Sequence, residues 1–285
     1  MIKKPDWLRV PYYSDQSSSY ITEMLDEMNL NTVCVEASCP NRSECFSNKT
    51  ATFMVLGTNC TRKCMFCNVS FGIPQPIDRD EPSRIARAVK KLNLSYVVIT
   101  SVTRDDLPDG GADHFANVIQ AVHELSPKTA IEVLIPDLSD IIGIVNKSPT
   151  VISHNIETVK SLYEKVRPAA DYFRSLSLIK KVKSLDANIR TKSGIMLGLG
   201  ESRDEVLKTF DDLLEAKCEF LTIGQYLAPS KNHYPVSEYI EPQVFTDYAD
   251  IAYKKGFIFV ASAPFVRSSY HADKALLSSD VKGHQ

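Results

Sequence analysis

Between residues 52 and 261 the chain repeats one pattern: a short run rich in Val, Ile, Thr and Phe, then a longer stretch whose apolar residues recur at helical spacing. The strand-like runs are 52–56, 96–102, 130–135, 151–154, 188–197, 220–223 and 258–261. The helix-like stretches are 81–92, 115–125, 171–185, 203–217 and 242–255, the first carrying Pro82 where a helix tolerates it, in its first turn. Strands alternating with helices imply parallel pairing through crossover connections. The expected class is α/β, a partial or full TIM-type β/α barrel, most simply six-stranded. The division expected is an N-terminal extension over 1–49, a barrel over 50–265 and a tail over 266–285, both extensions covering the barrel mouth.

In such a barrel, chemistry collects where strands end and loops begin. Thr103, Arg104, Asp105 and Asp106 follow the second strand-like run, with Gly110 and Gly111 shortly after, and Asn155 and Glu157 follow the fourth. Taken one at a time, such clusters read equally well as helix caps or solvated loops.

Charge and composition narrow the class. A net charge of −2 argues against an electrostatic grip on nucleic acid or on an anionic membrane. No apolar run approaches the roughly 20 residues of a bilayer span. The chain opens Met1-Ile2-Lys3-Lys4-Pro5 without the apolar core of a secretion signal, so a cytoplasmic, thiol-reducing setting is expected. At 285 residues and 44% hydrophobic content, there is material for one large core with appendages.

The cysteines change the picture most. Six of the seven fall in two triads: Cys34, Cys39 and Cys45, then Cys60, Cys64 and Cys67. Three thiolates on short loops suit iron–sulfur clusters or zinc. Disulfides do not fit the expected compartment, and structural zinc usually closes a shell of four ligands rather than three. Cys218 stands alone at the end of a helix-like stretch over 211–218 and reads as a small buried hydrophobe.

The second triad, with Phe66 beside its last cysteine, resembles the radical S-adenosylmethionine (SAM) enzymes. The wider set of motifs resembles the lipoyl synthase family. That set comprises Val33-Cys34-Val35-Glu36-Ala37-Ser38-Cys39-Pro40-Asn41 with Cys45, Thr100-Ser101-Val102-Thr103-Arg104-Asp105-Asp106-Leu107 with Gly110-Gly111-Ala112, and His154-Asn155-Ile156-Glu157-Thr158-Val159. It continues with the stretch from Thr191 to Glu201 and ends at Val266-Arg267-Ser268-Ser269-Tyr270.

The resemblance implies two [4Fe-4S] clusters. Cys60, Cys64 and Cys67 would hold the cluster whose open iron binds SAM. Cys34, Cys39 and Cys45 would hold an auxiliary, sacrificial one, completed by Ser269, with Ser268 as the alternative. It also implies cofactor contacts from Phe66 to adenine, Gly110 and Gly111 to the methionyl part, Asn155 and Glu157 to the ribose, and Arg174 to the carboxylate. Arg267 and Lys192 are lesser polar candidates.

The implied reaction inserts two sulfurs, at the sixth and eighth carbons of a protein-bound octanoyl-lysine, at the expense of two SAM molecules and of sulfide from the auxiliary cluster. Unactivated carbons of this kind lie beyond any side-chain base, so a radical abstractor is required. The implied partners are an octanoylated lipoyl carrier domain or a glycine-cleavage H protein, a reducing electron donor and an iron–sulfur repair carrier. The rival readings are a methylthiotransferase-like two-cluster enzyme and a non-catalytic iron–sulfur electron carrier. The first normally brings an RNA- or protein-binding module, and no appended domain or basic stripe is evident.

Overall fold

A computed structural model describes residues 3–9, 16–47, 51–270 and 272–276. Of the extensions expected to cover the barrel mouth, residues 1–2, 10–15, 48–49, 271 and 277–285 lie outside the described residues, as does residue 50 of the expected barrel. The chain divides into two compact units, one of Val10–Arg62 and Asn68–Ile152, the other of Met1–Arg9, Lys63–Cys67 and Ser153–Gln285.

In the first unit, Thr52–Val55 lies parallel to Tyr96–Ser101, with Thr52 opposite Val98. Tyr96–Ser101 lies parallel to Ala130–Leu134, with Tyr96 opposite Ala130. A two-residue strand, Asn31–Thr32, runs antiparallel to Thr52–Val55. All four residues of Thr52–Val55 are buried, as are Val97, Val98 and Ile99. Strands covered on both faces need continuous apolar runs rather than alternation, which is the pattern the sequence carries.

The helices Glu81–Leu92 and Ala112–Leu125 connect these strands and pack on each other, burying Ile85, Val89, Phe115, Val118, Ile119 and Val122. Glu81–Leu92 closes with Lys90 and Lys91 at the negative end of its dipole and with Asn93 in the left-handed conformation, φ 52°.

In the second unit, Arg190–Leu197 lies parallel to Phe220–Gln225, with Lys192 opposite Phe220. Phe220–Gln225 in turn lies parallel to Phe259–Ser262. Helices Tyr172–Leu185, Arg203–Glu215 and Pro242–Lys255 supply the other side of a core that includes Ile179, Ile195, Phe210, Leu213, Ile223 and Phe245. Arg203–Glu215 starts with a capping box. The Ser202 hydroxyl accepts from the Glu205 N–H, and the Glu205 carboxylate accepts from the Ser202 N–H at 2.8 Å.

All seven expected strands form, Val151–Ser153 among them. Three helix boundaries differ from expectation, the smallest at Asp171, which caps Tyr172–Leu185 rather than starting it. The second helix begins at Ala112 rather than 115, because Gly111 at φ 94° turns the chain directly into it. Arg203–Glu215 stops two residues before the expected end at 217, and Lys217 adopts φ 65°. Cys218 therefore lies beyond the helix, 2% exposed, its thiol donating to the Phe220 carbonyl at 3.3 Å. Its reading as a buried hydrophobe stands, and burial pushes its thiol well above the usual range.

One strand residue governs the approach of the C-terminal segment. A Cβ on Gly224 would stand 2.2 Å from the Val266 carbonyl oxygen, a backbone atom that cannot rotate away. Gly224→Ala is therefore expected to leave the helical core folded but to release the segment after Phe265. Trypsin should cut after Arg267 much faster in the variant than in the parent, and equal cutting rates would show that the segment is not seated there.

Candidate cluster and cofactor site

The strand Thr52–Val55 runs out into two left-handed residues, Leu56 at φ 69° and Gly57 at φ 90°. The Leu56 N–H donates to the Glu81 carboxylate at 3.0 Å, and its carbonyl accepts from Arg104 Nη1 at 3.2 Å. Glu81 Oε2 also stands 2.7 Å from His114 Nε2, and both side chains are 5% exposed. Arg104 in turn is paired with Asp106. The turn that leads into the cysteine loop is thus fixed by buried side chains on both of its backbone polar groups.

Cys60 follows in a two-residue strand, Asn59–Cys60, parallel to Ser70–Phe71. Its Sγ accepts from the N–H of Arg62 at 3.4 Å and of Thr103 at 3.3 Å. The Thr61 N–H donates to the Thr103 carbonyl at 3.0 Å. The Arg62 guanidinium grips Asp105 with two bonds, at 2.8 and 2.7 Å, and also bonds Asp137. Arg62 holds the Asp105 carboxyl below the usual carboxylate range, and bonding to Asp105 secures the charge on Arg62.

Cys64 and Cys67 belong to the other unit, where the Cys67 N–H donates to the Cys64 carbonyl at 3.2 Å. Between them, the Met65 N–H donates to the Val166 carbonyl at 2.9 Å, and the Met65 carbonyl accepts from the Tyr234 N–H at 2.7 Å. Phe66 packs against the cluster of Val166, Leu199 and Tyr226, so its ring has a core role here.

The first triad rests on two short helices that the sequence pattern did not reveal. Thr32 caps Val33–Glu36, accepting from the Val35 N–H, and so places Cys34. The Cys39 N–H donates to the Cys34 carbonyl at 3.1 Å, and Cys45 sits in Arg42–Ser47. Burial foremost, with the neighbouring sulfurs adding, pushes the Cys45 thiol up to about 12. Burial foremost, with Cys39 adding, takes Cys34 to about 11.

Three soft donors close enough to repel one another as thiolates fit a cationic iron cluster, which reverses that penalty. All seven cysteines are described, and none is in a disulfide. Among the described residues, no three His, Cys, Asp or Glu side chains are arranged to hold one metal ion. A cluster instead distributes its thiolates over separate irons.

Asn155 and Glu157 are brought together with the tail motif. Asn155 Nδ2 donates to Glu157 Oε1 at 3.0 Å and to Ser268 Oγ at 2.6 Å. Asn155 Oδ1 is buried with no protein hydrogen-bond partner, an acceptor of the kind a ribose hydroxyl satisfies. Glu157 is held at φ 66° between Gly194 and Met196, its N–H donating to the Gly194 carbonyl and its carbonyl accepting from the Met196 N–H. Such a conformation is rare for a non-glycine residue and recurs at functional sites. Burial raises the Glu157 carboxyl above its ordinary range, and the Arg167 charge opposes this.

Arg167 is the functional candidate that sequence reading missed. It is buried, and donates to the Asn155 carbonyl at 3.1 Å and to the Tyr163 hydroxyl at 2.8 Å. It lies in an ordinary polar stretch with no motif to mark it. Arg174, the arginine singled out from the sequence, stands exposed in the first turn of Tyr172–Leu185.

Gly110 and Gly111 adopt φ 65° and 94°, and a Cβ on them would meet Leu138 at 2.9 Å and Leu56 at 2.3 Å. Left-handed backbone and these leucines give both glycines a structural role. Lys192 is buried at 1% exposure in its strand, and Arg267 Nη1 donates to the Val266 carbonyl at 2.7 Å. Ser268 and Ser269 occupy a turn closed by the Tyr270 N–H donating to the Arg267 carbonyl at 3.0 Å.

Comparison with known proteins places this geometry. Residues 54–213 match the Radical SAM superfamily. The chain is 56% identical over 276 residues to the lipoyl synthase of Caldicellulosiruptor saccharolyticus, covering 95% of this chain and 97% of that one. It is 52% identical over 278 residues to the lipoyl synthase of Alkaliphilus metalliredigens, covering 96% of each.

Among solved structures, methylornithine synthase PylB shares the fold with a TM-score of 0.54 at 13% identity, over 95% of this chain and 94% of that one. The hydrogenase maturase HydG of Carboxydothermus hydrogenoformans does so with a TM-score of 0.60 at 14% identity, over 79% of this chain and 56% of that one. These likenesses show the fold alone, an α/β partial barrel.

The raised Glu157 carboxyl has a consequence for stability. A carboxyl whose folded-state pKa lies above its unfolded value favours the fold at low pH, and that contribution is lost as pH rises through the folded value. Glu157→Gln removes the burden of an ionised buried group. At pH 8 it is expected to unfold at a higher urea concentration than the parent, with the gap closing as pH falls through the carboxylate range. A gap that does not change with pH would show that the carboxyl is not strained by burial.

Proposed function

The chain belongs to the lipoyl synthase family of the radical SAM superfamily, and on that premise we propose how its residues divide the work. Its cofactors are iron–sulfur clusters and SAM, and its substrate is an octanoylated lipoyl domain. Cys60, Cys64 and Cys67 hold the SAM-binding cluster. Cys34, Cys39 and Cys45 hold the auxiliary cluster, with Ser269 as its oxygen ligand. When bound, these groups supply a 5′-deoxyadenosyl radical and the sulfur that enters the octanoyl chain.

The chain's own residues bind and orient. The buried Asn155 Oδ1 accepts from a ribose hydroxyl, Glu157 accepts from its neighbour, and Arg167 fixes the Asn155 backbone that presents them. Ser268 is engaged by Asn155 Nδ2, and Ser269 is the serine to which the family motif assigns the cluster ligand. An alkoxide is a hard partner for iron and is released more readily than a thiolate, which suits a cluster that gives up its sulfur. Phe66, Gly110, Gly111 and Arg174 remain part of the proposed cofactor set. For Phe66 and the two glycines the packing described above supplies a structural role as well.

The proposed sections of the chain are an extension over 1–49 bearing the auxiliary triad, a barrel over 50–265 and a tail over 266–285. A one-electron donor and an iron–sulfur carrier that rebuilds the spent cluster complete the partners. A cytoplasmic location follows from six thiols that must stay reduced to take up iron.

The observation that carries the reading is that both triads and the Arg-Ser-Ser-Tyr motif fall in a chain alignable over 95% of its length with a lipoyl synthase. Its test is anaerobic mass spectrometry of an octanoyl-lysine peptide incubated with reconstituted protein, SAM and a strong reductant. A gain of two sulfurs with matching 5′-deoxyadenosine is expected. Ser269→Ala should keep cleaving SAM while lipoyl formation falls at least tenfold. Cys64→Ala should abolish 5′-deoxyadenosine altogether. Product at the parental rate from the first variant, or cleavage above background from the second, would refute that residue's role.

A further inference from the structure

The segment from Thr103 to Asp106 reaches the cysteine loop at three successive points. Its first residue donates its backbone N–H to Cys60 Sγ at 3.3 Å and its carbonyl accepts from the Thr61 N–H. Its second, Arg104, buried at 3% exposure, crosses to the Leu56 carbonyl upstream of Cys60 and pairs with Asp106. Its third, Asp105, accepts two bonds from Arg62 downstream of Cys60 and one from the Thr61 hydroxyl at 3.0 Å. Asp137, with its side chain 1% exposed, takes the remaining arm of Arg62. The loop is therefore gripped before, at and after its first cysteine, by one strand end and one buried carboxylate.

We propose that Arg62, Asp105 and Asp137 form a charge clamp that positions Cys60 and sets the reduction potential of the cluster bound there. The inference rests on the assignment of Cys60, Cys64 and Cys67 as cluster ligands.

The clamp has two separable parts. The N–H groups of Thr103 and Arg62 donate to Cys60 Sγ, and hydrogen bonds to a ligating sulfur stabilise the electron-rich, reduced state. The side chains set one cation between two carboxylates. The reduced cluster carries one more negative charge than the oxidised one. The Arg62 charge therefore favours reduction, and each carboxylate opposes it. Burial of Asp137 and most of Arg62 leaves these charges poorly screened by solvent. A bidentate guanidinium–carboxylate pair also fixes direction, so the Arg62 N–H stays aimed at Cys60 Sγ. None of these side chains needs to touch substrate, which makes them positioning residues.

The sign of the effect separates this role from a structural one. In full-chain protein carrying both clusters, the radical cluster is identified by the electron paramagnetic resonance signal that responds to added SAM, and its midpoint potential is found by reductive titration. Asp105→Asn is expected to raise that potential and Arg62→Gln to lower it, each by about 59 mV, which is tenfold in a one-electron equilibrium. Arg62→Lys, which keeps the charge, should return the potential most of the way to the parent's.

Asp105 is nearly half exposed, so its asparagine variant carries the test alone if Arg62→Gln fails to hold its cluster. Potentials unchanged, or shifted in the same direction by both substitutions, would overturn the clamp while leaving the ligand assignment intact. Loss of the SAM-responsive signal in the parent itself would instead overturn the ligand assignment, and the clamp with it.

Discussion

A strand that leaves its sheet in a left-handed turn presents an N–H and a carbonyl that no ladder partner can take, and each must be satisfied where it is buried. At Leu56 the carboxylate of Glu81 takes the N–H and the guanidinium of Arg104 takes the carbonyl. Both are themselves compensated, Glu81 by His114 and Arg104 by Asp106. A buried polar group left without a partner costs free energy, and here each has its partner in hydrogen-bond range. Because Cys60 lies four residues further on, the conformation of its loop descends from this turn. The helices that carry Glu81 and His114 pack on each other, so helix packing, carboxylate placement and loop conformation depend on one another.

The Arg62 grip continues the same logic at the loop's other side. Around Cys60 the loop has only a two-residue strand of its own to fix it. Polar contacts from the neighbouring strand end supply the fixation instead. Radical chemistry demands that the abstracting group and the target carbon be held in close register, since small displacements cost large factors in rate. A first cysteine fixed by its backbone, its sulfur and its flanking arginine is preorganised in that sense.

Much of this was legible in the sequence, for a definable reason. Strands such as Thr52–Val55 and Tyr96–Ser101 announce themselves because parallel strands buried on both faces favour apolar and β-branched runs, and the two triads announce themselves because closely spaced cysteines have few other uses. The short helices Val33–Glu36 and Arg42–Ser47 did not show, since one or two turns contain too few positions for a period to register. Arg167 escaped because its role depends on which carbonyl lies opposite it, a fact of tertiary structure alone. Gly110 and Gly111 are conspicuous as room for a cofactor, and Leu138 and Leu56 also stand where a Cβ would lie, so a glycine that avoids a side chain leaves the same mark in sequence as one that admits a ligand.

The two triads have different surroundings. Cys60 receives backbone N–H bonds at its sulfur from Arg62 and Thr103. Burial, with neighbouring sulfurs adding, pushes the Cys34 and Cys45 thiols up, to about 11 and about 12. On the proposed ligand assignment, iron taken up there displaces protons from neutral thiols, and the binding energy retained is what remains after that displacement. A site of this kind grips its cluster less firmly than the same sulfurs would if preionised. For a cluster proposed to give up its sulfur and be rebuilt with each product, moderate affinity is the better arrangement, because a site that bound its remnant too well would be slow to be cleared and refilled.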